Sequence, residues 1–285
     1  MAKLFISADL EGVCGVTSPR QVFPKVSDPR RPYEEAVAQL GRELNVVIEA
    51  ALAAGAQEIV VNDSHAAMTN LTLEHVGRKG PVRLLSGKPK PCAMSAGLDD
   101  SFDGVLLIGY HAMAGTQNGV LCHTFHDGLF EVRINGIPVG ESAVNALYAS
   151  LCHRVPVLLA SGDAALCDEI GRLHPGIRTV ETKQGLSFSA ALCHPEETVF
   201  ARYREAISQL FSNRPLWENT LLQWAPPYRL EMTFLDTVRA DVVATQMGLQ
   251  RLDGRTLAFT SEAFESLYRT LQTSYSLLAY VHTFS

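Results

Sequence analysis

Short apolar runs with helical periodicity between them are the strongest constraint on how this chain folds. Residues 3–6, 58–61, 82–85, 105–108 and 155–160 each read as a strand. Between the first two, a Pro- and Arg-containing loop over 19–31 leads into a helix opened by Pro32. In that helix Ala36, Leu40, Leu44, Val47, Ile48 and Ala51 recur at helical spacing until Gly55 stops it. Apolar runs of this length, separated by a helix, mark parallel strands buried on both faces. The expected fold class is therefore α/β: a mixed, largely parallel central sheet flanked by helices, with a smaller C-terminal α+β portion.

Local signals extend that reading. Asn135-Gly136, inside the β-rich segment 130–139, accepts the positive φ angles of a type I′ turn, so a hairpin is expected to join the sheet as an antiparallel element. Gly140-Glu141-Ser142 opens a helix to about residue 151, and Asp163 is placed to cap the helix after the 155–160 strand. An α/β core is expected over 1–195, a helix and connector over 196–227, and the α+β portion over 228–285. Strands at 229–234 and 256–259 and helices at 238–245 and 262–271 make up that last portion.

Composition narrows the function classes. The chain has 285 residues, 47% hydrophobic and 19% charged, which is ordinary globular usage and long enough for one large core plus a smaller appendage. A formal net charge of −6 leaves no basic footprint, so neither nucleic acid nor an anionic membrane is expected as partner. The opening residues enter a strand without an apolar segment and cleavage site, and the apolar runs are too short to cross a bilayer, so a cytoplasmic location is expected. The six cysteines, scattered without a Cys-x-x-Cys pair, suit reduced structural thiols rather than a disulfide frame or thiolate zinc site.

The chemistry-bearing residues gather at strand ends. Asp9 and Glu11 follow the first strand; if the extended conformation continues that far, positions i and i+2 project to one side. Two anions side by side repel, and a cation, a base or water must neutralise them. A strand-end carboxylate can also be a solvated turn residue, and a lone histidine is more often satisfied by a carbonyl or water. His65 and His111, however, fall at the carboxyl ends of two further predicted strands, on the edge where open parallel sheets form their crevice. Glu141 adds a further carboxylate, although the first turn of a helix favours Glu without any function.

Ser7-Ala8-Asp9-Leu10-Glu11-Gly12, Val61-Asn62-Asp63-Ser64-His65, Gly109-Tyr110-His111-Ala112, His123 and Pro138-Val139-Gly140-Glu141 occur in the order found in the zinc-dependent D-aminopeptidases of the DppA type, which the chain resembles over most of its length. The resemblance extends to Lys183-Gln184 and, more loosely, through 230–259. It implies two zinc ions per chain, one held by Asp9, Glu11 and His65 and the other by Asp9, His111 and Glu141, with Asp9 as the bridge. Three carboxylates against two divalent cations leave one net positive charge, enough to hold a hydroxide. His123 is by resemblance the catalytic histidine, a proton shuttle or oxyanion donor. Implied as well are short peptide substrates with a D-configured N-terminal residue, and a homodecamer enclosing a chamber. The connection from His111 to His123 is longer than the family pattern, and Phe188 stands where several relatives carry a basic residue. No substrate-binding residue is assigned.

Other mechanisms lack their parts. Cys122 and His123, like Ser64 and His65, are adjacent and face opposite ways in an extended segment. Neither a Gly-x-Ser-x-Gly elbow, a P-loop nor a dinucleotide fingerprint is present. His75, His126, His153, His174, His194 and His282 read as surface or structural residues, and Asp63 as a turn former rather than a carboxylate orienting His65. The alternatives are another two-metal amide or phosphoester hydrolase, or a metal-stabilised binding or assembly protein without turnover.

Overall fold

The computed structural model describes residues 2–26, 29–77, 80–279 and 281; His282 lies outside the described residues. The first half of the chain runs β1 (Ala2–Ala8), α1 (Pro19–Val22), α2 (Arg31–Ala53), β2 (Ala56–Asp63), β3 (Val82–Leu85), β4 (Gly104–Ile108), β5 (Leu129–Ile134) and β6 (Ile137–Pro138). It continues with α3 (Glu141–His153), β7 (Val157–Asp163), α4 (Ala164–Leu173), β8 (Arg178–Ser187), β9 (Ala190–Cys193) and α5 (Glu196–Ser212). The last part holds β10 (Tyr228–Phe234), α6 (Thr237–Val243), β11 (Gln250–Arg251), β12 (Thr256–Ser261) and α7 (Phe264–Leu278).

The strands form two sheets. One has seven strands in the order β3-β2-β1-β4-β7-β8-β9, parallel except for β9, which returns antiparallel on β8. Its central strands are buried on both faces, as their unbroken apolar runs require. Leu4 and Ile6 of β1 and Leu106 and Ile108 of β4 point into a core with α2 and α5, whereas Phe5, Val105 and Leu107 point into a second core with α3 and α7. Asp163 caps α4, accepting from the Leu166 N–H. Among the described residues no helix is long and apolar enough to cross a membrane.

The hairpin corrects one expectation. Asn135 (φ 53°) and Gly136 (φ 78°) do turn the chain, pairing Ile134 with Ile137, but β5 and β6 do not join the parallel sheet. They enter a five-stranded sheet of order β11-β12-β10-β5-β6, in which β5 pairs antiparallel with β10. The physical reason lies in the alternation of β5, where Leu129, Val132 and Ile134 are buried and Phe130 is exposed. That pattern suits a sheet covered on one face, while the parallel sheet buries both.

This topology creates the site. After β1 the chain builds β2 and β3 on one side, then returns to place β4 on the other, so the switch point lies between the carboxyl ends of β1 and β4. The loops leaving those two strands interlock. Asp9 N–H donates to the Ile108 carbonyl (2.8 Å) and Gly12 N–H to that of Gly109 (2.8 Å). A Cβ on Gly12 would sit 1.8 Å from the Tyr110 carbonyl oxygen; one on Gly109, whose φ is +75°, would sit 2.2 Å from that of Asp9. Backbone cannot yield as a flexible side chain would. Gly109→Ala is therefore expected to lower stability by at least ~2 kcal/mol through strain and overpacking. Urea denaturation measures this, and an unshifted midpoint would contradict the interlock.

Candidate metal centre

β1 ends at Ala8, so Asp9 and Glu11 do not lie on a continued strand and the expected i, i+2 alignment is not what joins them. A turn does so instead: Val13 N–H donates to the Leu10 carbonyl (3.2 Å), and Asp9 Oδ1 accepts the Leu10 N–H (2.9 Å). His65 follows β2 by two residues, His111 follows β4 by three, and Glu141 opens α3 with its carboxylate at the favourable end of the helix dipole. Both carboxylates, both imidazoles and Glu141 are buried.

Asp9 stands in the middle and divides its oxygens. Oδ1 lies 3.1 Å from His65 Nδ1, which is also 3.1 Å from Glu11 Oε2. Oδ2 faces the other way, 3.7 Å from His111 Nε2, which approaches Glu141 Oε1 at 2.6 Å. His123 comes last, its Nε2 3.6 Å from Glu141 Oε1 and its ring stacked on His111 at 4.0 Å. The long connection from His111 thus returns His123 to the cluster. Donor atoms of Asp9, Glu11 and His111 lie within 4.8 Å of one another, as do those of His111, His123 and Glu141.

Each of these imidazoles is anchored by a backbone carbonyl. His65 Nε2 donates to Val22 (2.7 Å), His111 Nδ1 to Ala112 (3.0 Å) and His123 Nδ1 to Leu121 (2.9 Å). A carbonyl only accepts, so the proton of the neutral ring sits on that nitrogen and the other ring nitrogen faces its neighbours, free to take a proton or a cation. This is how metal-ligating histidines are oriented. Glu11 Oε2, His111 Nε2 and Glu141 Oε1 are buried without a hydrogen-bond partner, a costly state that a cation among them relieves.

The electrostatics say the same. Burial, reinforced by the charge of Glu11, pushes Asp9 up to about 7. Burial would also raise Glu11, but the adjacent His65 outweighs it and holds the carboxyl well below its ordinary value. Burial would lower His65 and His111, yet Glu11 and Glu141, respectively, drive them well above theirs. The protein's own groups therefore draw protons into a cluster that is rich in anions. His123 goes the other way, lowered by burial and by His111 beside it.

A cavity of about 560 Å³ opens over this floor, walled by Phe23, Met68, Phe125, Phe188 and Tyr275, with Lys88 on its lining. His123 reaches it with a side chain 26% exposed, far more open than the other imidazoles of the cluster. Phe188 is exposed, and its carbonyl accepts the Leu121 N–H (2.8 Å), tying the β8–β9 turn to the loop that carries His123.

Beneath the cluster lies a polar network that sequence reasoning missed. Ser7 Oγ meets Ser64 Oγ and the Tyr110 hydroxyl, each at 2.7 Å; Asn145 Nδ2 donates to Tyr110 (3.3 Å), and the Tyr268 hydroxyl donates to Asn145 Oδ1 (2.8 Å). Each of the first four sits one to four residues along the chain from a ligand-type residue, which is the signal that could have found them. Ser64 is committed there and is no nucleophile. Asp63 accepts the N–H groups of Asn70 (2.6 Å) and Leu71 (2.7 Å), the turn-forming role expected of it.

Known proteins resemble this chain over most of its length. The model of peptidase family M55, described as D-aminopeptidase, matches residues 2–273. A D-aminopeptidase of Bacillus subtilis (strain 168) is 40% identical over 191 residues, 67% of each protein. The solved structure of the Zn-dependent D-aminopeptidase DppA from Bacillus subtilis, described as a self-compartmentalizing protease, superposes with a TM-score of 0.90 at 30% identity, covering 99% of both chains. The chain belongs to the D-aminopeptidase family of metal-dependent peptidases.

Proposed function

We propose that the chain holds two zinc ions and with them removes N-terminal, D-configured residues from short peptides. The observation that supports this reading is the division of Asp9, whose buried Oδ1 lies 3.1 Å from His65 and whose Oδ2 lies 3.7 Å from His111. Glu11 and His65 complete one set, His111 and Glu141 the other, and the oxygen and imidazole donors suit zinc. Zinc there would supply a Lewis acid for the peptide carbonyl and an acidified water.

The chain's own groups do the rest. His123 is held through Nδ1 by Leu121, which leaves Nε2 free at the cavity floor beside Glu141. Its depressed proton affinity keeps that nitrogen unprotonated near neutral pH, so it can take a proton from attacking water and return it to the departing amine. Phe125, Phe188 and Tyr275 exclude water and shape the space for a small side chain. The self-compartmentalizing architecture of DppA supports a homo-oligomer for this chain too, with a decameric chamber admitting only short peptides.

Purified protein should contain two zinc ions per chain and cleave D-alanyl peptides in preference to L-alanyl ones, without acting on a phosphate ester. Chelation should abolish cleavage. His123→Ala should keep both ions and lose about 10²- to 10⁴-fold in kcat; loss of an ion would make His123 a ligand instead, and unchanged turnover would remove it from catalysis. Asp9→Asn should disturb both ions, and retention of two normally bound ions would refute the bridge. Because zinc binds the native cluster, adding it at a hundredfold excess over Kd should stabilise the apoprotein by about 2.7 kcal/mol for each site filled, read as a rise in Tm. A Tm indifferent to zinc and to chelator would contradict the metal reading.

A further inference from the structure

The loop over 9–16 that carries Asp9 and Glu11 is gripped from behind by a buried cation. Lys183, on β8, is 0% exposed, and its ammonium donates to three backbone carbonyls of that loop: Glu11 (2.6 Å), Val13 (2.8 Å) and Val16 (2.6 Å). An ammonium has three N–H bonds, so every donor is used. Lys183 makes no close ion pair among the described residues; the three carbonyls meet its ammonium directly, while the buried carboxylates of Asp163 and Glu43 favour its charge from farther off. Burying a cation is costly, and here the cost is offset because the ammonium satisfies three loop carbonyls that an apolar residue on β8 would leave without this donor. What the cation adds is geometry. Three carbonyls of an irregular loop are drawn to one point, as a bound metal ion would draw them.

Neighbouring contacts hold the same loop but bypass Glu11. Thr182 Oγ1 donates to the Gly12 carbonyl (2.6 Å), and Glu43, buried on α2, accepts the Cys14 N–H (2.8 Å) while its other oxygen accepts the Tyr203 hydroxyl (2.8 Å). Lys183 alone of these reaches a residue whose own side chain is in the metal cluster. Fixing the Glu11 carbonyl fixes the origin of a carboxylate whose Oε2 meets the His65 imidazole at 3.1 Å.

We infer that Lys183 is a positioning residue for one of the two metal positions: through the Glu11 carbonyl it sets the Glu11 carboxylate, and so governs the ion shared by Asp9, Glu11 and His65 without touching the one held by His111 and Glu141. This rests on the two-ion reading above. Loss of such a supporting contact typically costs 10- to 100-fold in metal affinity.

The test is zinc titration by calorimetry on the whole protein, with wild type measured first. Two binding steps are expected there; a single step overturns the two-ion reading itself and this inference with it. Lys183→Met should weaken one step 10- to 100-fold, leave the other unchanged, and recover turnover at high zinc. Combined with Glu11→Gln it should add no further weakening, because both changes act on one carboxylate, whereas combined with Glu141→Gln the two losses should add. Equal weakening of both steps, or none, in a folded Lys183→Met protein overturns the inference while leaving the two-ion reading intact. Should Lys183→Met fail to fold, Lys183→Gln, which keeps two N–H donors on a neutral head, is titrated in the same way. If neither folds even with zinc, Lys183 is a general structural residue and the inference falls.

Discussion

Three carboxylates, Asp9, Glu11 and Glu141, are buried within reach of one another at the switch point of a parallel sheet, and the rest of the site follows from that concentration of negative charge. In a medium of low dielectric such a group repels itself, and raised proton affinity at Asp9, His65 and His111 is the response of the protein's own groups. Divalent cations relieve it better, because they also satisfy the oxygen and nitrogen atoms left without hydrogen bonds.

Holding anions together demands a rigid frame. The loops after β1 and β4 pass so closely that glycine is required at both Gly12 and Gly109, and the Ser7, Ser64, Tyr110 and Asn145 network joins the four segments that carry the cluster from below. The imidazoles of His65, His111 and His123 are each fixed by a backbone carbonyl on one nitrogen. The frame is thus built from backbone approach and buried hydrogen bonds, while the large apolar cores on either face of the sheet provide the stability that offsets the cost of the buried charges.

Much of this was legible in the amino-acid order, and what was not has physical reasons. β1, β2 and β4 stand out because burial on both faces demands consecutive apolar residues, and the strand ends then bring Asp9, His65 and His111 to one edge. β8 does not stand out, since it carries Glu181, Lys183 and Gln184; only the packed loop beside it makes a buried lysine tolerable. The Asn135-Gly136 turn was readable as a turn, but a turn says nothing about which sheet its strands enter; β10, far along the chain, decided that. The Asp9 and Glu11 pair was recognisable by residue type, whereas its alignment was not, because the strand stops at Ala8 and a turn takes over. The network under the site escaped notice because serine, tyrosine and asparagine beside a ligand carry no periodicity of their own.

The account stands on Asp9 serving two cations at once. A zinc-edge anomalous difference map from crystals of the zinc-loaded protein addresses this directly. Two peaks are predicted, one between Asp9, Glu11 and His65 and one between Asp9, His111 and Glu141, separated by the roughly 3.5–4 Å typical of paired-metal sites. A single peak, or a pair of which only one touches Asp9, would contradict it.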